Sequence, residues 1–166
     1  MFSKDDCSAI VDANGVGYEV NMDRVSLAGI NAGDEITIHV YTHMNDGAVE
    51  LYGFALPVVK SIFLMLINVS GIGPKTALNI LSGVEPSDLV KNIMESDVGR
   101  LSMIHGIGKK TAERLVVELR DKVVKLKALV PEIGVVDQIS RDLKSALLNL
   151  GYRAAEIEAA IKDLRK

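Results

Sequence analysis

The sequence predicts an α+β chain made of several small domains, with a β-rich first segment followed by helices. Three observations carry this prediction. Strand patterns and tight turns fill residues 1–57, helical periodicity follows, and the loop Gly-Ile-Gly occurs twice, in SGIGPKTALNILSG (70–83) and HGIGKKTAERLVVE (105–118). The two copies are offset by 35 residues, from Gly71 to Gly106, which indicates two sites of the same kind.

The first segment has the pattern of a small barrel or sandwich of short strands. Asn14-Gly15 and Asn45-Asp46-Gly47 are hairpin turn sequences, and polar and apolar residues alternate in Glu35–Tyr41. The predicted strands are Ser8–Val11, Val16–Met22, Glu35–Tyr41 and Ala48–Phe54. Short strands joined by tight turns are typical of small β-domains.

The remaining segments are predicted to be helical and to be separated by a linker. Pro57 opens the second segment, and Pro86 follows Gly83 in the pattern of one helix end and a new start. A longer amphipathic helix is predicted at Lys109–Lys127. The predicted domains are residues 1–57, residues 58–127, a linker at 128–137 and a small helical unit at 138–166.

The charge distribution indicates a nucleic-acid-binding centre within an acidic chain. The net charge is −3, yet residues 1–57 hold nine acidic and two basic residues, whereas residues 58–127 hold seven acidic and eleven basic residues. Residues 128–166 hold six of each. Because binding follows the local field more than the total charge, the basic middle segment is the candidate nucleic-acid-binding part.

Composition argues against several other classes of protein. Apolar residues make up 48% of the chain, yet the longest apolar run, Ser61–Val69, is too short to span a bilayer. Cys7 is the single cysteine, which excludes an internal disulfide and fits a reducing compartment. Lys4, Asp5 and Asp6 do not match a secretory signal, so we expect a soluble cytoplasmic protein.

The chemistry of the repeated loop suits the binding of phosphate groups. Glycine adopts positive φ and lets a ligand approach the backbone, and each loop leads into a helix amino terminus that favours an anion. A lysine and a threonine in the first helical turn add a charge and a hydroxyl. One copy is explained equally well as an ordinary turn, but two matching copies favour a sequence-independent hold on a nucleic-acid backbone.

Motifs for catalysis and for metal binding are weaker. A nucleotide-binding P-loop requires G-x-x-x-x-G-K-[ST], and Gly108-Lys109 is followed by Lys110, so this chain is not expected to hydrolyse ATP. His39 and His43 share a strand face by parity, but no third ligand is placed beside them. We therefore predict no metal site and no cofactor.

The repeated loops and their flanking motifs resemble a known family. GIGPKTA (71–77) and GIGKKTAERL (106–115) look like tandem helix-hairpin-helix motifs. With VGYEV (16–20) and LYGF (51–54) ahead of them and LNLGY (148–152) behind them, their order resembles the RuvA family, the DNA-binding subunits of bacterial Holliday junction branch-migration complexes. The resemblance covers nearly the whole chain.

The resemblance implies a three-domain architecture and a non-catalytic role. The first domain would be an OB-fold β-barrel, the second a tandem helix-hairpin-helix domain, and the third a small three-helix, UBA-like domain. The subunit would hold an open four-way DNA junction and position the hexameric AAA+ motor RuvB for branch migration in recombination and repair. Four subunits would form a flat assembly, with an octamer on DNA as the alternative, and a junction resolvase is a further implied partner.

The resemblance also implies particular site residues in this sequence. Backbone contacts to DNA would come from Gly71, Ile72, Gly73, Gly106, Ile107 and Gly108. The side chains that would assist them are Lys75, Thr76, Lys109, Lys110, Thr111 and Arg114. The side chains of Ile72 and Ile107 are expected to pack into the core as wedges between the helices and not to contact DNA. Candidate motor-binding residues, which are equally candidates for the core of the small domain, are Leu147, Leu150 and Tyr152.

The chain departs from the family pattern at two places. The family has two adjacent acids at the hairpin tip before LYGF, which form a pin that repels phosphates, whereas this tip carries Asp46 alone. Asp46 is a candidate one-acid pin and is explained equally well as a turn residue, while Glu50 is a weaker candidate because it lies along the strand. The family also opens with a strand before Ser8–Val11, whereas only Met1–Asp6 precede that stretch here. Two explanations stay open: the barrel lacks its first strand, or the true start of the protein lies upstream of the given one.

Other functions compete with junction binding. A helix-hairpin-helix DNA repair enzyme needs a catalytic group beside a loop or a carboxylate metal cluster, whereas Glu113, Glu118 and Asp121 are interleaved with bases on one helix. An OB-type RNA-binding module is disfavoured because the first segment is acidic and has few aromatic residues. A generic duplex-binding module stays open as an alternative to the junction-binding function that we predict.

Overall fold

A mixed sheet and a series of helices make up the described part of the chain. The computed structural model describes residues 7–45 and 47–129. The contacts reported below lie within the compact unit that ends at Leu126. The elements in chain order are β1 (Ser8–Ala13), β2 (Val16–Met22), α1 (Arg24–Ala28), β3 (His39–Asn45), β4 (Ala48–Phe54), α2 (Pro57–Ile67), α3 (Pro74–Gly83), α4 (Pro86–Met94), α5 (Val98–Met103) and α6 (Lys109–Leu129).

The four strands form one sheet in the order β1-β2-β4-β3. Strands β1 and β2 pair antiparallel through a two-residue turn, in which Asn14 has φ +56° and Gly15 has φ +86°. Two consecutive positive φ values match the right-handed twist of the flanking strands, so the predicted hairpin is confirmed. Strands β2 and β4 run parallel, with Val20 opposite Leu51, which makes the sheet mixed.

The second hairpin confirms one turn prediction and corrects one strand prediction. Asn45 pairs with Ala48, and Gly47 has φ +100°, as a two-residue turn requires. Asp46, the candidate pin residue, lies outside the described residues. The strand predicted at Glu35–Tyr41 is wrong at its start, because β3 begins at His39, opposite Phe54. Strand β4 ends at Phe54 and the chain then enters α2. Residues before His39 therefore have no part of β4 to pair with.

Proline marks the start of three helices, and the sequence predicts two of these starts, at Pro57 and Pro86. Pro57, Pro74 and Pro86 occupy the first turns of α2, α3 and α4. Proline suits this position because the N–H that it lacks would have no partner inside the helix. Helix α1 was not predicted from the sequence, and its amino terminus is capped by Asp23, which accepts from the Ser26 N–H at 2.9 Å.

An aromatic cluster joins the sheet to the helices. The ring of Phe63 on α2 lies 4.8 Å from Phe54, 5.4 Å from Tyr52 and 5.6 Å from Tyr41, measured between centroids. Phe54 and Phe63 are fully buried, and Tyr52 is 1% exposed. Polar contacts reinforce this junction, since Lys60 donates to the Val40 carbonyl at 2.7 Å. The β-rich and helical segments therefore share a core.

A second apolar cluster packs against the sheet around α1. Its buried members are Ala9, Val20, Met22 and Leu27. Gly53 belongs to this packing, because a side chain there would overlap Val20 and Ile38. Glycine is thus required in the LYGF stretch by close approach of neighbouring side chains.

Several predictions concern residues outside the described range. These are the carboxy-terminal helical unit at 138–166, most of the linker at 128–137, and the motor-binding candidates Leu147, Leu150 and Tyr152. Helix α6 continues to Leu129, two residues past its predicted end at Lys127. Within residues 7–45 and 47–129, no helix combines the length and the apolar character that crossing a bilayer would take.

Removing the central ring of the aromatic cluster should destabilise the fold. For Phe63→Ala we expect the free energy of unfolding to fall by about 3 to 5 kcal/mol, because the change leaves a cavity between sheet and helix. Val117→Ala is the control, since Val117 is 83% exposed and its loss should cost less than about 0.5 kcal/mol. Urea denaturation followed by circular dichroism measures both values, and similar losses in the two variants would contradict the shared core.

Candidate nucleic-acid interface

The two Gly-Ile-Gly loops have the same backbone conformation. Gly71 has φ +92° and Gly106 has φ +90°, values at which a side chain is strained. The Ile72 N–H donates to the Val69 carbonyl at 3.0 Å, and the Ile107 N–H donates to the Ile104 carbonyl at the same distance. The sequence repeat is therefore a structural repeat, residue for residue.

Each loop passes directly into a helix. Gly73 accepts from the Ala77 N–H and Gly108 accepts from the Ala112 N–H, both at 2.9 Å, which begins α3 and α6 in the same way. Gly73 provides no side-chain cap to α3. The first N–H groups of a helix have no partner within it, so this end presents donors to the outside.

The isoleucine between the glycines anchors each loop. Ile72 and Ile107 are each 4% exposed, and Ala77 and Ala112, which follow in the two helices, are fully buried. These side chains are core wedges, as the sequence predicts. Burial of an apolar side chain at the loop tip holds the flanking backbone in place while the glycines stay at the surface.

The last glycine of each loop faces open space. Gly73 has φ −89°, and Gly108 also lies outside the left-handed region, so neither position needs glycine for its conformation. A Cβ atom built at either residue would meet no heavy atom of the described residues within 4 Å. The chain's own packing gives no reason for glycine here. What glycine provides at both positions is unobstructed access to the backbone.

The two loops lie side by side. A Cβ atom at Gly106 would lie 3.5 Å from the Thr76 methyl group, which belongs to the other repeat. Arg114 Nη1 donates to both the carbonyl oxygen and the hydroxyl of Ser70, each at 3.3 Å. Arg114, predicted as a DNA contact, is thus placed to hold the second repeat against the first.

The cations of the two loops differ in their surroundings. Lys75 Nζ lies 3.1 Å from Glu50 Oε1 on strand β4. Lys109 and Lys110 are exposed, and they form no ion pair with any described residue. Thr76 and Thr111 are half-buried in the first helical turns. The structure thus brings all twelve predicted DNA-backbone residues to neighbouring loops and helix starts, but with unequal charge.

Sequence reasoning undervalued two residues, Glu50 and Ser70. The sequence marks Glu50 only as a weak pin candidate. Strand alternation nevertheless puts Glu50 on the same face as Tyr52 and Phe54, and this face packs toward the helices. Its approach to Lys75 has no signal in the local sequence because the two residues belong to different segments. Ser70 precedes the first loop and gave no pattern that would indicate its contact with Arg114.

The described residues contain no group of three or more His, Cys, Asp or Glu side chains that could hold a metal ion. His43 instead belongs to the aromatic surroundings of the sheet, with its ring 6.3 Å from Tyr41 and 6.5 Å from Tyr52. The contacts of its ring therefore explain the presence of a histidine at position 43 by packing on the sheet.

Two family profiles match the chain. Residues 1–53 match the family described as RuvA N terminal domain, and residues 63–121 match the family described as SAM-like helix-hairpin-helix tandem. The second match contains both loops. The first contains the whole sheet apart from its last residue.

Curated relatives match over nearly the full chain. A Holliday junction branch migration complex subunit RuvA from Anaeromyxobacter sp. (strain Fw109-5) is 44% identical over 94% of this chain and 81% of the relative. Proteins of the same name are 42% identical in Geobacter sp. (strain M21), over 94% and 81%, and 40% identical in Pelobacter propionicus, over 93% and 81%. The paired loops, the sheet ahead of them and this identity establish that the chain belongs to the RuvA family.

Proposed function

We propose that this chain binds four-way DNA junctions and directs the hexameric motor RuvB to them for branch migration. The relatives are named as subunits of the Holliday junction branch migration complex. The observation that carries the proposal is the pair of adjacent loops whose last glycines expose backbone to the outside. A polar backbone surface that reads no base suits a ligand recognised by its shape and its phosphates.

In this proposal the two loops hold phosphates of one DNA backbone. N–H groups at the starts of α3 and α6 donate to phosphate oxygens, and Lys75, Lys109 and Lys110 add positive charge. The hydrogen bonds from Arg114 to Ser70 link the two proposed phosphate sites. Because such contacts carry no sequence information, the protein can hold DNA whose sequence changes as the junction moves.

The uneven charge distribution of the chain supports the placement of DNA at the loops. The loops belong to the basic segment, whereas the sheet belongs to residues 1–57, which carry a net charge of −7. A phosphate backbone is attracted to the loop surface and repelled by the acidic segment. We propose that Asp46, as a one-acid pin, adds to this repulsion near the crossover.

The finer architecture and assembly are also part of the proposal. We infer that the sheet is the core of an OB-fold barrel and that residues 138–166 form a small helical domain which contacts the motor through Leu147, Leu150 and Tyr152. The chain would act in the cytoplasm as a non-catalytic subunit, in a homotetramer or an octamer on DNA, with a junction resolvase as a further partner. Catalysis would belong to the motor.

Removal of the second loop's lysines should weaken binding to four-way junctions. For Lys109→Ala/Lys110→Ala we expect weaker binding to a four-way junction and a log K against log salt slope that is shallower by about 1.8 per bound subunit, because two phosphate contacts are lost. Lys122→Ala/Lys125→Ala is the matched control on the same helix, where both lysines are exposed.

A competition gel shift between a four-way junction and linear duplex of the same arm sequence, at stated salt, measures this effect. Equal binding of the wild-type chain to both DNAs would instead support a generic duplex-binding module. Equal losses in the two lysine variants would contradict the placement of the site on the loop.

Glycine substitutions should separate loop conformation from backbone access. Gly71→Ala should lower the free energy of unfolding by about 1 to 2 kcal/mol, because φ is +92° there. Gly73→Ala should change the free energy of unfolding by less than about 1 kcal/mol and still weaken junction binding, because its methyl group occupies open space where a phosphate would approach. Thermal melts and gel shifts on both variants test this, and unchanged binding by Gly73→Ala would refute the close backbone approach.

A further inference from the structure

The sheet supplies an acidic partner to a cation of the first loop. Glu50 on β4 places Oε1 3.1 Å from Nζ of Lys75, in the first turn of α3. The Lys75 side chain is 77% exposed, whereas the Glu50 side chain is 28% exposed. The ammonium group can therefore reach an external anion, while the carboxylate stays against the protein.

The carboxylate of Glu50 is held in place by the aromatic cluster. Tyr52 donates its hydroxyl to Glu50 Oε2 at 2.8 Å, and Tyr52 is itself buried against Phe63. One carboxylate oxygen is thus bound to Tyr52, and the other contacts Lys75. The hydrogen bond from Tyr52 and the contact with Lys75 lower the pKa of the Glu50 carboxyl, so it is charged at neutral pH.

The second loop has no equivalent partner. Lys110 occupies the position 35 residues after Lys75, and within the described residues no carboxylate forms an ion pair with it. The two loops share their backbone geometry, yet a phosphate that approaches the first meets a lysine that is already neutralised. A phosphate that approaches the second meets two exposed lysines.

We propose that Glu50 is an intramolecular competitor for DNA phosphate at the first loop and so sets how tightly that loop engages the junction. This inference rests on the proposed function. A carboxylate oxygen and a phosphate oxygen both accept from the three N–H donors of an ammonium group, so DNA must displace Glu50 or share Lys75 with it. When a phosphate leaves, the carboxylate takes its place. The first loop therefore releases DNA more readily than the second, which suits a substrate that moves across the surface.

Glu50→Gln tests the inference with little change in structure. The glutamine amide oxygen still accepts from the Tyr52 hydroxyl, and only the charge that faces Lys75 is removed. We expect tighter binding to a four-way junction, slower dissociation, and a salt slope that is steeper by about 0.9 per bound subunit. The gain over wild type should therefore shrink by about 3.5-fold per bound subunit when salt rises fourfold.

A charge-matched variant and a double-mutant cycle make the test specific. Glu35→Gln removes one negative charge from an exposed position in the same acidic segment, so it reports the effect of net charge alone. In a Lys75→Ala background, Glu50→Gln should have no effect beyond that of Glu35→Gln. Thermal melts confirm that each variant is folded.

The outcomes separate failure of the inference from failure of the proposed function. If Glu50→Gln matches Glu35→Gln, or if its effect persists without Lys75, the competitor role is refuted. Loss of binding in Lys109→Ala/Lys110→Ala would in that case leave the loops as the DNA site. If no loop variant changes junction binding, the proposed site itself is overturned, and the inference falls with it.

Discussion

The packing of Phe63 against the sheet is the contact on which the rest of the structure depends. Helix α2 carries this ring and ends three residues before Ser70, where the first loop begins. Because the ring is enclosed by Phe54, Tyr52 and Tyr41, the loop is fixed relative to strand β4. The ion pair between Lys75 and Glu50 follows from this placement, since neither residue has a partner of that kind in its own element.

The two loops share one backbone conformation, but the residues that surround them give them different electrostatic environments. Each uses a left-handed glycine, a buried isoleucine and an open glycine before the helix, so each presents backbone donors in the same way. The first lies beside the acidic sheet and shares its lysine with Glu50. The second carries two lysines, and its Arg114 reaches back to Ser70. The two loops therefore combine equivalent backbone geometry with unequal charge.

Much of the fold could be predicted from local pattern. The turn at Asn14-Gly15, the strand at Val16–Met22 and the proline-marked helix starts follow from backbone preferences that act within a few residues. The prediction for the start of β3 is wrong because polar and apolar residues alternate from Glu35 onwards, whereas backbone pairing with β4 begins only at His39, opposite Phe54. A strand boundary depends on the partner strand, which the local sequence does not contain.

The sequence by itself determined the candidate site: two glycine loops at a fixed offset, each followed by a lysine and a threonine in a basic segment. These features are local, because positive φ at glycine and donors at a helix start arise within one turn of chain. Only the tertiary structure decided that the loops are neighbours, that Gly73 and Gly108 face open space, and that Glu50 contacts Lys75. The physical reason is that these properties are set by packing between distant segments, which a spacing in sequence does not encode.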